Sequence, residues 1–181
     1  MYAYLGQWNS MTGRPILDRE WISEGEARAA YDDQTHGFDI VPQAVRDEVE
    51  AHGSSPTPWA LSSSALGPLA FRVTFYLPTG SIFRIVDWKD EGERMFLWSV
   101  VDYLYPDQDT QYRRAQCLWI VRGLFNTDGT GTLSIKDKVA STLDRLSMDE
   151  VDLSGNWRDR PSFGDWAALV HTDAPMVTPP R

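Results

Sequence analysis

From Phe71 to Val139 the chain alternates apolar and polar residues, with turn signals at short intervals. This rhythm commits the middle of the chain to β-structure. Phe71, Val73, Phe75 and Leu77 alternate with Arg72, Thr74 and Tyr76. That period of two sends one set to each side of a strand. Pro78-Thr79-Gly80 turns the chain, and Ser81 to Trp88 answers as the second half of a hairpin. Asp90-Glu91-Gly92-Glu93 is a second turn. Arg94 to Tyr105 is a long apolar run, as expected of a central strand covered on both faces. Tyr112 to Phe125 and Thr130 to Val139 are two more strands about the turn Asn126-Thr127-Asp128-Gly129. Consecutive hairpins predict an antiparallel meander.

The flanks read differently. Ser23-Glu24-Gly25-Glu26 is a capping box that predicts a helix over about 24–33, with Ile22 and Ala27 placed as a hydrophobic staple. A second helix is predicted from Pro42, a residue favoured in a first turn, to Gly53, with Val41, Val45 and Val49 on one side. Gly53 to Pro58 is a loop, and Trp59 to Leu61 begins a short strand. In the tail, Leu143, Leu146, Met148, Val151 and Leu153 follow mixed spacing, and Ser162 through Val170 is predicted helical. The expected fold is therefore α+β. An antiparallel meander of about five or six strands is covered by helices from both ends. At 181 residues this is a single domain. Its parts are a helical segment over about 1–53, a sheet over about 59–139 and a tail over about 140–181.

Charge and cysteine usage limit the functions open to such a domain. The net charge is -9, and it is uneven: residues 1–66 carry -6, residues 67–138 are balanced and residues 139–181 carry -3. An acidic chain is poorly suited to nucleic acid or anionic lipid. Cys117 is the single cysteine, so no internal disulfide can form. No signal peptide or spanning segment is read from the sequence, and a cytoplasmic protein is expected.

Catalytic patterns are sparse. His36, His52 and His171 lie in or beside turns and helix ends, no G-x-S-x-G elbow surrounds a serine, and Cys117 falls on an apolar strand face. HExxH and phosphate-loop patterns are missing, so no metal and no cofactor is expected. Asn126 to Asp137 has calcium-loop spacing, but its flanks alternate as strands, and a hairpin is the better account. Asp87 and Asp102 both interrupt apolar strands, and two acids on one sheet could serve a small hydrolase. A general protein-interaction domain is the other alternative.

The eight tryptophans divide by position. Trp88, Trp98 and Trp119 fall inside strands and are expected in the core. Trp8, Trp21, Trp59, Trp157 and Trp166 fall near element boundaries, where such rings close core edges or anchor interfaces. With the stretch Trp157-Arg158-Asp159-Arg160-Pro161-Ser162-Phe163-Gly164-Asp165-Trp166-Ala167-Ala168-Leu169, this small acidic chain resembles the immunity proteins of bacterial polymorphic toxins. Actinobacterial members are the nearest in type, most of all the immunity factor that neutralises the NAD-degrading tuberculosis necrotizing toxin. The resemblance implies a non-enzymatic antitoxin that binds its cognate toxin one to one and blocks the NAD-binding cleft. A plug for a narrow cleft needs small side chains on a rigid support. Ser62 to Pro68 fits that need, with Ser63, Ser64, Leu66, Gly67 and Pro68 as the candidate contacts.

Overall fold

Ser23 opens the first helix as its sequence predicts. The Glu26 amide donates to Ser23 Oγ (3.2 Å), and the Ser23 amide donates to Glu26 Oε2 (2.8 Å). Two orphan donors are satisfied by one pair of side chains. The computed structural model describes residues 1–16, 21–34, 37–64 and 69–170. Along the chain run β1 (Tyr2–Leu5), β2 (Trp8–Asn9), β3 (Arg14–Pro15), β4 (Trp21–Ile22), α1 (Glu24–Asp33), β5 (Asp39–Pro42), α2 (Gln43–His52), β6 (Trp59–Ser63), β7 (Ala70–Tyr76) and β8 (Ile82–Asp90). They are followed by β9 (Arg94–Leu104), β10 (Trp119–Phe125), β11 (Gly131–Asp137), β12 (Thr142–Met148), β13 (Trp157–Asp159) and α3 (Ala167–Val170).

The α+β class and the antiparallel meander are present. The strand count is not five or six: among the described residues eleven strands form one sheet, in the order β12-β11-β10-β9-β8-β7-β6-β5-β1-β4, with β13 also paired to β9. Strands β10 and β13 share one edge of β9, β10 along Ser99 to Leu104 and β13 along Arg94 to Phe96. Both ends of the chain supply strands that sequence reasoning assigned to helix or tail.

Register defines the two faces. On one face, Ile22, Tyr4, Ile40, Leu61 and Val73 stand side by side on β4, β1, β5, β6 and β7. The row continues through Val86, Val100, Gly123, Leu133 and Leu146 on β8 to β12. Ala27 and Ala30 of α1, with Trp166 and Leu169 near the C-terminal helix, pack on its first part as the main core. The opposite face carries a smaller core of Ala3, Leu5, Val41 and Ala60, closed by Val45 of α2 and by Trp8. Gly53 ends α2 in the left-handed conformation (φ 81°), which costs a residue without Cβ little.

The cover stops partway. Tyr4 to Val100 are buried along the main row, whereas Leu146 at its end is 61% exposed. No helix of the described residues is long and apolar enough to cross a membrane.

The tryptophans redistribute. Trp88 is buried as expected, but Trp98 and Trp119 are half-buried, because Trp98 sits at a register shift between β8 and β9 and Trp119 lies where the cover has ended. Trp166 (0% exposed) and Trp8 (7%) are core residues rather than edge closures.

Candidate functional site

Strands β6 and β7 carry the connection singled out from the sequence. Ser63 and Ser64 are described, whereas Leu66, Gly67 and Pro68 lie outside the described residues. The Ser64 amide donates to the Ala70 carbonyl (2.9 Å), which closes the mouth of the connection. Ser63 faces the start of β5. Its amide donates to the Phe38 carbonyl (3.0 Å), and its Oγ accepts from the Phe38 amide (3.1 Å). The Ser63 hydroxyl therefore clamps β6 to the chain ahead of β5 as well as bordering the surface.

A cleft of about 400 Å³ opens beside these serines, lined by Ser62, Ser64, Arg72, Asp87 and Trp98 among others. Register accounts for the convergence: Ser62, Arg72, Asp87 and Ser99 are neighbours across β6, β7, β8 and β9. Arg72 Nε donates to Asp87 Oδ1 (2.7 Å), and the arginine side chain remains 57% exposed while the aspartate is 10% exposed. Ser99 is fully buried beside them, and its hydroxyl has no hydrogen-bond partner among the described residues.

A second cleft of about 420 Å³ shares Ser62 and Ser63 and reaches Asp39, Thr74 and Tyr76. Asp39 continues the same row onto β5, opposite Ser62. Burial pushes its carboxyl above the usual range, opposed by the Ser62 hydroxyl and by the Trp8 amide, which donates to Oδ2 at 2.7 Å. Burial and then the neighbouring Asp39 push the Tyr76 hydroxyl up to about 12. Sequence reasoning missed Asp39. Its available signal was a single acid between Phe38 and Ile40 in an apolar run.

The two candidate acids do not meet. Asp102 pairs with Arg84 through two contacts, Nε to Oδ1 at 2.6 Å and a terminal nitrogen to Oδ2 at 2.8 Å. On β9, Asp102 lies three residues from Ser99, the register partner of Asp87, and the ladder between them is regular. An odd offset in a regular strand places side chains on opposite faces. Asp87 and Asp102 therefore cannot flank one scissile bond.

The other reactive groups are accounted for singly. Burial pushes the Cys117 thiol up, away from thiolate. His52 contacts Glu48 (Nδ1 to Oε2, 3.0 Å) on an exposed helix surface. His36 and His171 lie outside the described residues. Among the described residues, no three His, Cys, Asp or Glu side chains gather as a metal site. Asn126 to Asp137 is a β10–β11 hairpin, with Asp128 Oδ1 accepting from the Thr130 amide (2.9 Å). The cleft offers hydroxyls, a half-exposed guanidinium and an indole. These groups suit polar recognition more than bond breaking.

No family model matches the chain, and comparison with curated proteins and with solved structures returns no match.

Proposed function

We propose that this chain is a cytoplasmic immunity protein that binds one molecule of a cognate secreted toxin, an NAD glycohydrolase, and occludes its active site without catalysing a reaction itself. The resemblance of the tail and the overall composition motivates the class. The observation that carries the reading is the position of Ser62 to Ser64. They border a cleft with Arg72, Asp87 and Trp98, and β6 and β7 anchor them to the central sheet. Small side chains beside an exposed guanidinium and an indole can follow a partner's surface closely, and the sheet behind keeps the ordering cost of binding low.

Co-expression with a toxin encoded beside the gene tests this. Wild-type protein is expected to preserve cellular NAD and to co-elute with the toxin one to one. Ser64→Trp and Gly67→Trp are expected to weaken protection at least about tenfold, since overpacking a contact typically costs 1–3 kcal/mol. Their melting temperatures should stay at the parent value. Full protection by both variants would remove this connection from the interface. Turnover of a small substrate that disappears in Asp87→Asn, without toxin binding, would replace the antitoxin reading with the hydrolase.

A further inference from the structure

Strand β12 ends the sheet. Seven register pairs join it to β11 along one edge, and among the described residues no strand takes the other. Thr142 through Ser147 are all exposed, with Leu143 at 50% and Leu146 at 61%. A free edge of this length without proline is a template for another strand.

Its side chains define what fits. Leu143, Arg145 and Ser147 share the face of Arg122 and Lys136, while Asp144, Leu146 and Met148 share the other. No ion pair among the described residues holds Arg122, Lys136, Asp144 or Arg145. Arg122 and Arg145 stand in one row, separated only by Ser134, so one face of the edge is cationic.

A second copy is a poor occupant. Paired residues of an antiparallel ladder share a face. A closed two-fold pairing must therefore centre on a residue opposite itself. Centring on Asp144 or Arg145 opposes like charges. Centring on Leu143 faces Asp144 and Arg145 with Thr142 and Ser141, and centring on Leu146 faces them with Met148 and Ser147. No such register near the strand's middle compensates the two charges.

We propose that the β12 edge accepts an extended strand of a partner protein, added antiparallel. In that strand an acid lies opposite Arg145, a base opposite Asp144 and aliphatic residues opposite Leu143 and Leu146. Backbone hydrogen bonds supply binding, and the cross-strand pairs set the register. In the partner's own chain direction the pattern is aliphatic, acid, base, aliphatic. This deepens the immunity reading by naming a mode of engagement, and it rests on that reading for the nature of the partner.

The test uses the whole chain and three labelled peptides followed by fluorescence anisotropy: VTLEKLT, the charge-swapped VTLKELT, and VTLEKLT with alternate amides N-methylated. Wild type is expected to bind VTLEKLT about tenfold more tightly than VTLKELT, as two cross-strand charge pairs change sign. The D144R/R145D variant, at exposed positions and with an unchanged melting temperature, should reverse that order. Methylation on the pairing side should abolish binding. Equal binding of the first two peptides by both proteins overturns the proposal, as does undiminished binding of the methylated one. A labelled oligothymidine that outcompetes VTLEKLT would assign the face to nucleic acid instead. A wild-type dimer in sedimentation that D144R/R145D dissociates would assign the edge to a second copy. Toxin protection without peptide discrimination removes the edge and leaves the immunity reading standing. Discrimination without protection does the reverse.

Discussion

Two carboxylates set the electrostatic character of individual residues here. The Arg84 and Asp102 side chains are 7% and 6% exposed, and they are joined at two points. Taking two charges from water costs much of what their attraction returns. Asp102→Asn takes the neutralising carboxylate charge from beside the buried guanidinium, and a loss of about 3–5 kcal/mol is expected in denaturant unfolding. The double variant R84M/D102L should lose less than that single change, because both buried charges are removed together. A double variant weaker than Asp102→Asn would refute the account. Asp39 makes the contrasting case. Its folded value is raised by burial, so the folded chain holds the proton more tightly than the unfolded one. The contribution of this carboxyl to stability is greatest below the ordinary carboxylate range and falls as pH rises toward the folded value. Asp39→Asn keeps an oxygen for the Trp8 amide and removes this titration. The melting temperature of the variant minus that of the parent should therefore climb as pH rises above the ordinary carboxylate range. A flat or falling difference would show that burial does not dominate at this carboxyl.

At the scale of elements, what local chemistry encodes was legible. The α1 capping box, the Gly53 stop of α2 and the hairpins β7–β8 and β10–β11 all occur where turns and alternation predict them. Ser23→Ala should cost about 1 kcal/mol, the usual worth of an N-cap, and a chemical denaturation midpoint will read it. Missed elements share a cause. Val41 keeps helical spacing with Val45 and Val49, yet it belongs to β5, which ends one residue before α2 begins. Four residues joined directly to a helix show no alternation of their own. In β12, Leu143 and Leu146 are three apart and so point to opposite faces, both of them wet. No period of two survives when neither face is buried. The connection from Ser62 to Pro68 could be singled out by composition, but the Arg72–Asp87 pair and Asp39 beside it could not. They converge through pairing of strands distant in sequence.

Across the whole molecule one row of side chains connects the stable and the open ends of the sheet. Val86 and Leu146 belong to the same register row, four strands apart, with 0% and 61% exposure. The row is buried as far as Val100 on β9, so the burial that offsets chain entropy is concentrated there. Residues from both ends of the chain, Ala27, Ala30, Trp166 and Leu169 among them, provide that cover, and the cationic row joins Arg122 of the balanced middle to Arg145 of the tail. Strands β11 and β12 depend on hydrogen bonds and partial packing, and such segments open without global unfolding. Amide exchange followed by mass spectrometry should show residues 131–148 exchanging well before residues 82–100. Truncation should follow the same gradient. Val86→Ala is expected to cost about 2 kcal/mol through lost burial and a residual cavity, whereas Leu146→Ala should stay within about 0.5 kcal/mol. Equal costs at the two ends would mean that β12 is packed in solution, and its edge would then be closed to any added strand.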